Sequence, residues 1–404
     1  MTIYTINQLA TGSATVTLTD SDGGIDWLVY TGTYAIATDI NLNWTYTGAA
    51  SDGTPTSGEG MYFTAGNVGH RLIVNGQIEN ARGSNSADFI QGNSLANVLL
   101  GDNAATGLGG NDTISGGYGN DTIYGGSGAD SISGGNGNDY LEGNAGVDII
   151  SGGAGRDIIA GGLGADVLSG GADGTDMLYY VGSAAAVNIQ LTYGTTTVGH
   201  GGDAEGDTLN GFNQISGSAF DDSLTDTVAN TIAFGYNANQ FLGNAGNDRL
   251  TLGGGNDYGH GGVGNDTLYG GAGNDTVQGG DGTDYLYGGL GRDVQTGGIG
   301  ADRFVFWTTT ESLPTGRDVI SDFIRSEGDK IDLRVIDADS TLALNQAFVW
   351  RGTGAFTGHH GDLRQVGSGT GWVVQGDVNG DKIADFAITV SSPAGALIAT
   401  DFLL

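Results

Sequence analysis

The chain has 404 residues, 46 of them acidic and 13 basic, which leaves a formal charge of −33 near neutrality. A field of that sign repels nucleic acid and anionic lipid surfaces and excludes a DNA-binding role. Cysteine is absent, which excludes disulfides, zinc–thiolate sites and thiol chemistry, and no stretch approaches the roughly 18 apolar residues a membrane span needs.

Residues 1–82 carry few repeats and a concentration of aromatic side chains: Tyr4, Trp27, Tyr30, Tyr34, Trp44, Tyr46, Tyr62 and Phe63. Alternation in Ala14–Thr19 and in Ile36–Tyr46 predicts strands. The segment reads as a β-rich N-terminal cap and a possible attachment region. Its first residues, MTIYTINQLATGSATV, have neither the positive region nor the apolar core of a Sec-type signal peptide.

Residues 83–177 and 243–306 repeat a nine-residue phrase: two glycines, any residue, glycine, any residue, aspartate, any residue, an aliphatic, any residue. Gly116–Tyr124 reads GGYGNDTIY and Gly261–Tyr269 reads GGVGNDTLY. The sixth-position acids are Asp112, Asp121, Asp130, Asp139, Asp148, Asp157 and Asp166 in the first block. In the second they are Asp248, Asp257, Asp266, Asp275, Asp284, Asp293 and Asp302. The inward position is aliphatic throughout the first block but becomes Gly259 and Gln295 in the second. Fainter copies retain Asp88 and Asp222, and one carries Asn97 in place of the acid.

Glycine tolerates positive φ and lets the chain turn, and the three residues after each aspartate make a minimal strand with one side chain inward. Such a strand cannot bury itself. Two nonapeptides closing one coil, with coils stacked in parallel at about 4.8 Å, would do so. Aspartates two repeats apart then form ladders. Unit charges that close repel by roughly 3 kcal/mol at an effective dielectric near 20, and a divalent cation between them reverses the sign. Carboxylates and glycine carbonyls are the oxygen ligands that calcium prefers.

This phrase resembles the RTX, or hemolysin-type, calcium-binding nonapeptide repeat. The resemblance implies an all-β chain: a parallel β-roll or β-solenoid with β-rich N-terminal and C-terminal capping regions, folded on multiple calcium ions. It also implies an extracellular protein, since sites of this grade fill only where calcium is abundant. Residues 178–242 interrupt the repeats and read as irregular coils or an insertion. Residues 307–404 form the last region, and from Gly297 onward the chain resembles the C-terminal domain of serralysin-type metalloproteases. The phrases that carry this include Arg317-Asp318-Val319-Ile320-Ser321-Asp322-Phe323 and Gly328-Asp329-Lys330-Ile331-Asp332-Leu333. Within it, Asp377, Asn379, Asp381 and Asp385 alternate oxygen donors around a glycine turn and are candidates for a further calcium ion. Asp401-Phe402-Leu403-Leu404 resembles the uncleaved signal of type I (ABC-transporter) secretion substrates, which makes that apparatus an expected partner.

The five histidines, His70, His200, His260, His359 and His360, do not make the H-E-x-x-H spacing of a zinc protease, and no G-x-S-x-G phrase occurs. The expectation is therefore a non-enzymatic secreted calcium-binding protein of the cell surface: an S-layer-like, matrix or adhesion component. Its further partners would be cell-surface polysaccharide or copies of itself. The alternative is an exported polysaccharide-binding protein or polysaccharide-active enzyme on the same scaffold.

Overall fold

A computed structural model describes residues 81–404 apart from 84, 86, 103–108, 172–175, 193–195, 228–237, 340, 343–344, 369–370 and 392–394, together with the backbone of the strands that precede residue 81. The aromatic side chains of residues 1–80 lie outside the described residues. Two short 3₁₀ turns, Gly202–Ala204 and Ala399–Asp401, interrupt an otherwise all-β description. No helix among the described residues is long and apolar enough to cross a membrane.

The chain divides into two compact units, one of residues 1–180 and 193–212 and one of residues 181–192 and 213–404. In the first unit, consecutive strands alternate between two parallel sheets. Phe89–Gln91, Thr113–Tyr118, Ser131–Asn136, Ile149–Ala154, Val167–Gly171 and Thr208–Asn210 pair in series in one sheet. Val98–Leu100, Thr122–Ser127, Tyr140–Ala145, Ile158–Leu163 and Met177–Tyr179 pair in series in the other. The sheets run without a break into the N-terminal strands, because Arg71–Asn75 pairs Phe89–Gln91 and Asn80–Arg82 pairs Val98–Leu100. Repeats share one register: Ile114 lies beside Ile132, and Ile132 beside Ile150.

The second unit is built the same way. One sheet runs Asn188–Leu191, Ser223–Asp226, Arg249–Thr251, Thr267–Ala272, Tyr285–Leu290, Arg303–Val305, Lys330–Asp332 and Phe402–Leu403, all parallel. The other runs Gln214–Ser216, Gln240–Ala245, Tyr258–Val263, Thr276–Asp281, Val294–Ile299 and Val319–Ile320. Its last members are antiparallel: Asp362–Ser368, Gly371–Asp377 and Phe386–Val390 form a meander that meets Val319–Ile320.

Strands in the repeats are longer than the three residues that spacing alone suggests. Thr113–Tyr118 and its equivalents span six residues and include the paired glycines. The core is built on one inward residue per repeat, aliphatic in most of them. Ile114, Ile123, Ile132, Leu141, Ile150, Ile159 and Leu168 are all essentially buried, as are Leu250, Leu268, Val277, Leu286 and Phe304. Gly259 leaves a hole in that row, and Leu252 fills it: a Cβ added at Gly259 would lie 3.0 Å from Leu252 Cδ1. One outward row of the second unit is aromatic. The Tyr269 and Tyr287 rings stack at 4.5 Å, Trp307 packs on Tyr287, and the Arg249 guanidinium lies over Tyr269.

Candidate metal centres

Each aspartate of the repeats turns inward at the edge of its coil, where the chain passes from the glycine turn into the next strand. Its backbone N–H donates to Oδ1 of the aspartate one coil on. Asp112, Asp130, Asp148 and Asp166 are joined in this way at 2.7–2.8 Å, and Asp121, Asp139 and Asp157 at 2.8 Å. In the second unit Asp248, Asp266, Asp284 and Asp302 form one ladder, and Asp257, Asp275 and Asp293 the other. All fourteen side chains are 3 % exposed or less.

The two oxygens of each carboxylate have different fates. Oδ1 accepts the ladder bond. Oδ2 of Asp112, Asp121, Asp130, Asp139, Asp148 and Asp166, and of Asp248, Asp257, Asp266, Asp275, Asp284, Asp293 and Asp302, is buried without a hydrogen-bond partner. Protein interiors rarely leave polar atoms in this state unless a ligand or water takes them. Burial pushes these acids up, opposed by the backbone hydrogen bond and reinforced by neighbouring rungs: Asp112, Asp248 and Asp275 to about 8, Asp121, Asp148, Asp257 and Asp284 to about 7. Burial likewise raises Asp130, Asp166, Asp266, Asp293 and Asp302 to about 6.

The orphaned oxygens face peptide carbonyls. A Cβ added at Gly125 would sit 2.5 Å from Asp130 Oδ2 and 2.9 Å from the Gly143 carbonyl of the next coil. The same pairing of Oδ2 with a next-coil glycine carbonyl recurs at Gly134 with Asp139 and Gly152, and at Gly279 with Asp284 and Gly297. Among the described residues no three His, Asp or Glu side chains converge on one point. A cation on these ladders would therefore draw much of its shell from carbonyl oxygens. Such an all-oxygen set, part anionic and part neutral, fits calcium and lacks the nitrogen and sulfur donors of zinc.

The ladders extend past the repeats that spacing identifies. Asp166 N donates to Asp207 Oδ1, Asp157 to Asp176, Asp293 to Asp318 and Asp302 to Asp329. Several ends are closed by protein groups instead of being left open. Tyr180 Oη donates to Asp207 Oδ2 at 2.9 Å, Ser218 N to Asp222 Oδ2 at 2.6 Å, and Ile324 N to Asp329 Oδ2 at 2.7 Å. Asp318 differs: its Oδ2 is orphaned and burial raises it to about 8. Sequence reading missed Asp318 as a ladder member because Leu313-Pro314 stands where the repeat has its paired glycines. It also treated the fifth repeat position as free. Asn111, Asn138 and Asn265 there each accept a backbone N–H from the next coil through Oδ1.

The C-terminal candidates are brought together in one turn. Asp377 Oδ1 accepts from Gly380 N and its Oδ2 from Lys382 N, Asn379 Oδ1 from Asp381 N, Asp381 Oδ1 from Ile383 N, and Asp385 Oδ2 from Val378 N. Both oxygens of Asp377 are taken by backbone N–H groups of this loop, whereas a rung such as Asp148 leaves its Oδ2 orphaned.

The profile of the RTX calcium-binding nonapeptide repeat matches four segments: residues 106–141, 142–176, 235–268 and 260–295. These four segments, which carry most of the ladder aspartates, are RTX repeats. Calcium, bound at multiple sites, is the metal of these repeats. The matches end at residue 295 and do not reach the region that resembles serralysins. No curated protein matches the chain significantly. A solved structure similar to it is the R3 subunit of the AlgE6 mannuronan C5-epimerase from Azotobacter vinelandii, with 24% identity over 46% of this chain and 78% of that chain and a TM-score of 0.20.

Proposed function

We propose that this protein is an exported structural component of the cell surface, folded by calcium through its repeats. The observation that carries the proposal is the row of buried carboxylate oxygens with no protein partner. A roll containing them charges itself unfavourably on folding until a divalent cation neutralises each rung. Folding is then confined to places where calcium is plentiful, which suits passage through a type I exporter as an unfolded chain. The interior ladder aspartates, from Asp112 to Asp166 and from Asp248 to Asp302, are the ligands. Asp377, Asn379, Asp381 and Asp385 would take a further ion only by giving up hydrogen bonds of their own turn. Outside the cell, calcium screens the charge of −33 and bridges acidic faces, allowing copies to assemble or to hold anionic polysaccharide.

The test is location with and without chelator. Intact cells should carry the protein on their surface in millimolar calcium and release it into the medium when calcium is removed. Protein that is freely soluble and monomeric in calcium would overturn the surface role and favour a glycan-binding or glycan-active protein.

A further inference from the structure

Gln295 occupies the inward position of Val294–Ile299, in register with the buried aliphatic residues Val277 and Ile320. Its side chain is 0 % exposed, and neither Nε2 nor Oε1 has a hydrogen-bond partner. A buried amide with both ends unsatisfied is costly, and substitution by leucine or valine would remove that cost at once. Its surroundings supply a reason for its presence.

A Cβ added at Gly288 would lie 2.6 Å from Asp293 Oδ2 and 2.9 Å from Gln295 Nε2. At the matching place in the first unit, the Gly125 cradle meets Asp130 Oδ2 and, at 3.1 Å, the Ile132 Cδ1 methyl. The methyl that borders the metal cradle of a regular coil is thus replaced by an amide. The following coil carries Leu313-Pro314 in place of the paired glycines, and the three atoms nearest the Gly288 cradle include no carbonyl, whereas Gly143 O is among them at Gly125 and Gly297 O at Gly279. Rotation about the terminal torsion exchanges the two ends of an amide, and Oε1 is a neutral oxygen of the kind calcium accepts.

We infer that Gln295 is a metal ligand from within the core, supplying Oε1 to the calcium ion cradled by Gly288 and Asp293. This rests on the calcium reading of the ladders and assigns one irregular rung its own coordination. The amide weakens the empty roll and strengthens the loaded one, which ties closure of the last coils to calcium.

Hydrogen exchange on the full chain reads this rung alone. Ser321 N donates to the Gln295 carbonyl at 2.9 Å, whereas Thr276 N donates to Asp257 in a regular part of the same sheet. The calcium concentration that protects Ser321 should rise about tenfold in Gln295→Leu, within the roughly 10–100-fold range that loss of a supporting group costs a metal site. In Gln295→Glu, which keeps an oxygen and adds charge, it should fall below that of the unsubstituted protein. The Thr276 midpoint should move little in either. Leucine tightening the rung and glutamate loosening it is the ordering of a plain packing defect and would overturn the inference. Should the leucine variant not fold, the glutamate comparison alone still gives the sign. An unsubstituted protein with no calcium-dependent protection at either amide would instead refute calcium binding on the ladders as a whole.

Discussion

Asp148 shows how one side chain serves two purposes. Its Oδ1 accepts the Asp130 N–H at 2.8 Å, a bond that needs an oxygen but no charge, while Oδ2 is orphaned and requires a cation. Asp148→Asn should therefore keep the ladder and lose the metal. We expect it to raise the calcium midpoint of folding while leaving thermal stability in chelator at mildly acidic pH nearly unchanged. Asp148→Ala removes both functions, leaves the Asp130 N–H buried without an acceptor, and should cost about 1–3 kcal/mol more in either state. Calcium titrations followed by circular dichroism, with melting at pH 5 in chelator, separate the two. Identical behaviour of the two variants would show that the hydrogen bond contributes nothing. The same logic divides the rungs. Asp222 Oδ2 already accepts the Ser218 N–H, so Asp222→Asn should shift the calcium midpoint far less than Asp248→Asn.

At the scale of the coil, the second glycine of each pair adopts a backbone that side chains resist. Gly135 has φ 112°, and a Cβ there would collide with the Gly117 carbonyl of the preceding coil. Asparagine nevertheless adopts the left-handed backbone at this position in two of the described coils, Asn144 at φ 75° and Asn244 at φ 80°. Asparagine enters the left-handed region more readily than other L residues because its amide can bond locally. Asn244 Nδ2 donates to the Gly217 carbonyl at 2.8 Å. Gly135→Ala should thus cost about 1–2 kcal/mol and Gly135→Asn clearly less, read as thermal midpoints in saturating calcium. This is also where legibility in the sequence begins and ends. The phase of Asp112, Asp130 and Asp148 along one ladder, and of Asp121, Asp139 and Asp157 along the other, follows from an eighteen-residue coil, and the structure repeats it bond for bond. Strand length did not follow, because the paired glycines that signal a turn also carry ladder bonds. Asp207 and Asp318 were obscure as rungs because their coils are lengthened, to separations of 41 and 25 residues, so no fixed period points to them. The closing of Asp207 by Tyr180 depends on a contact between residues 27 apart that no pattern announces.

For the whole molecule, the buried carboxylates make protons and calcium alternative partners of the same fold. Burial raises Asp112, Asp248, Asp275 and Asp318 to about 8, and others of the ladders to about 6 or 7. In the unfolded chain each titrates near 3.9. The folded roll therefore holds protons that the unfolded chain has released, and stability falls wherever that is true. Without metal, the contribution is complete below about pH 4 and is lost progressively as pH rises through 6 to 8. Calcium replaces those protons with a cation that binds the ionised form, so the loaded roll should keep its stability to pH 8. We expect the chain in chelator to show β-type circular dichroism and a cooperative melt at pH 5, and to lose both by pH 8. In millimolar calcium the two pH values should give similar spectra, and magnesium at equal concentration should not substitute, since it demands a tight octahedron and sheds water reluctantly. A chelated protein that remains folded at pH 8, or one that unfolds on going from pH 8 to pH 5 in chelator, would show that the orphaned oxygens do not govern folding.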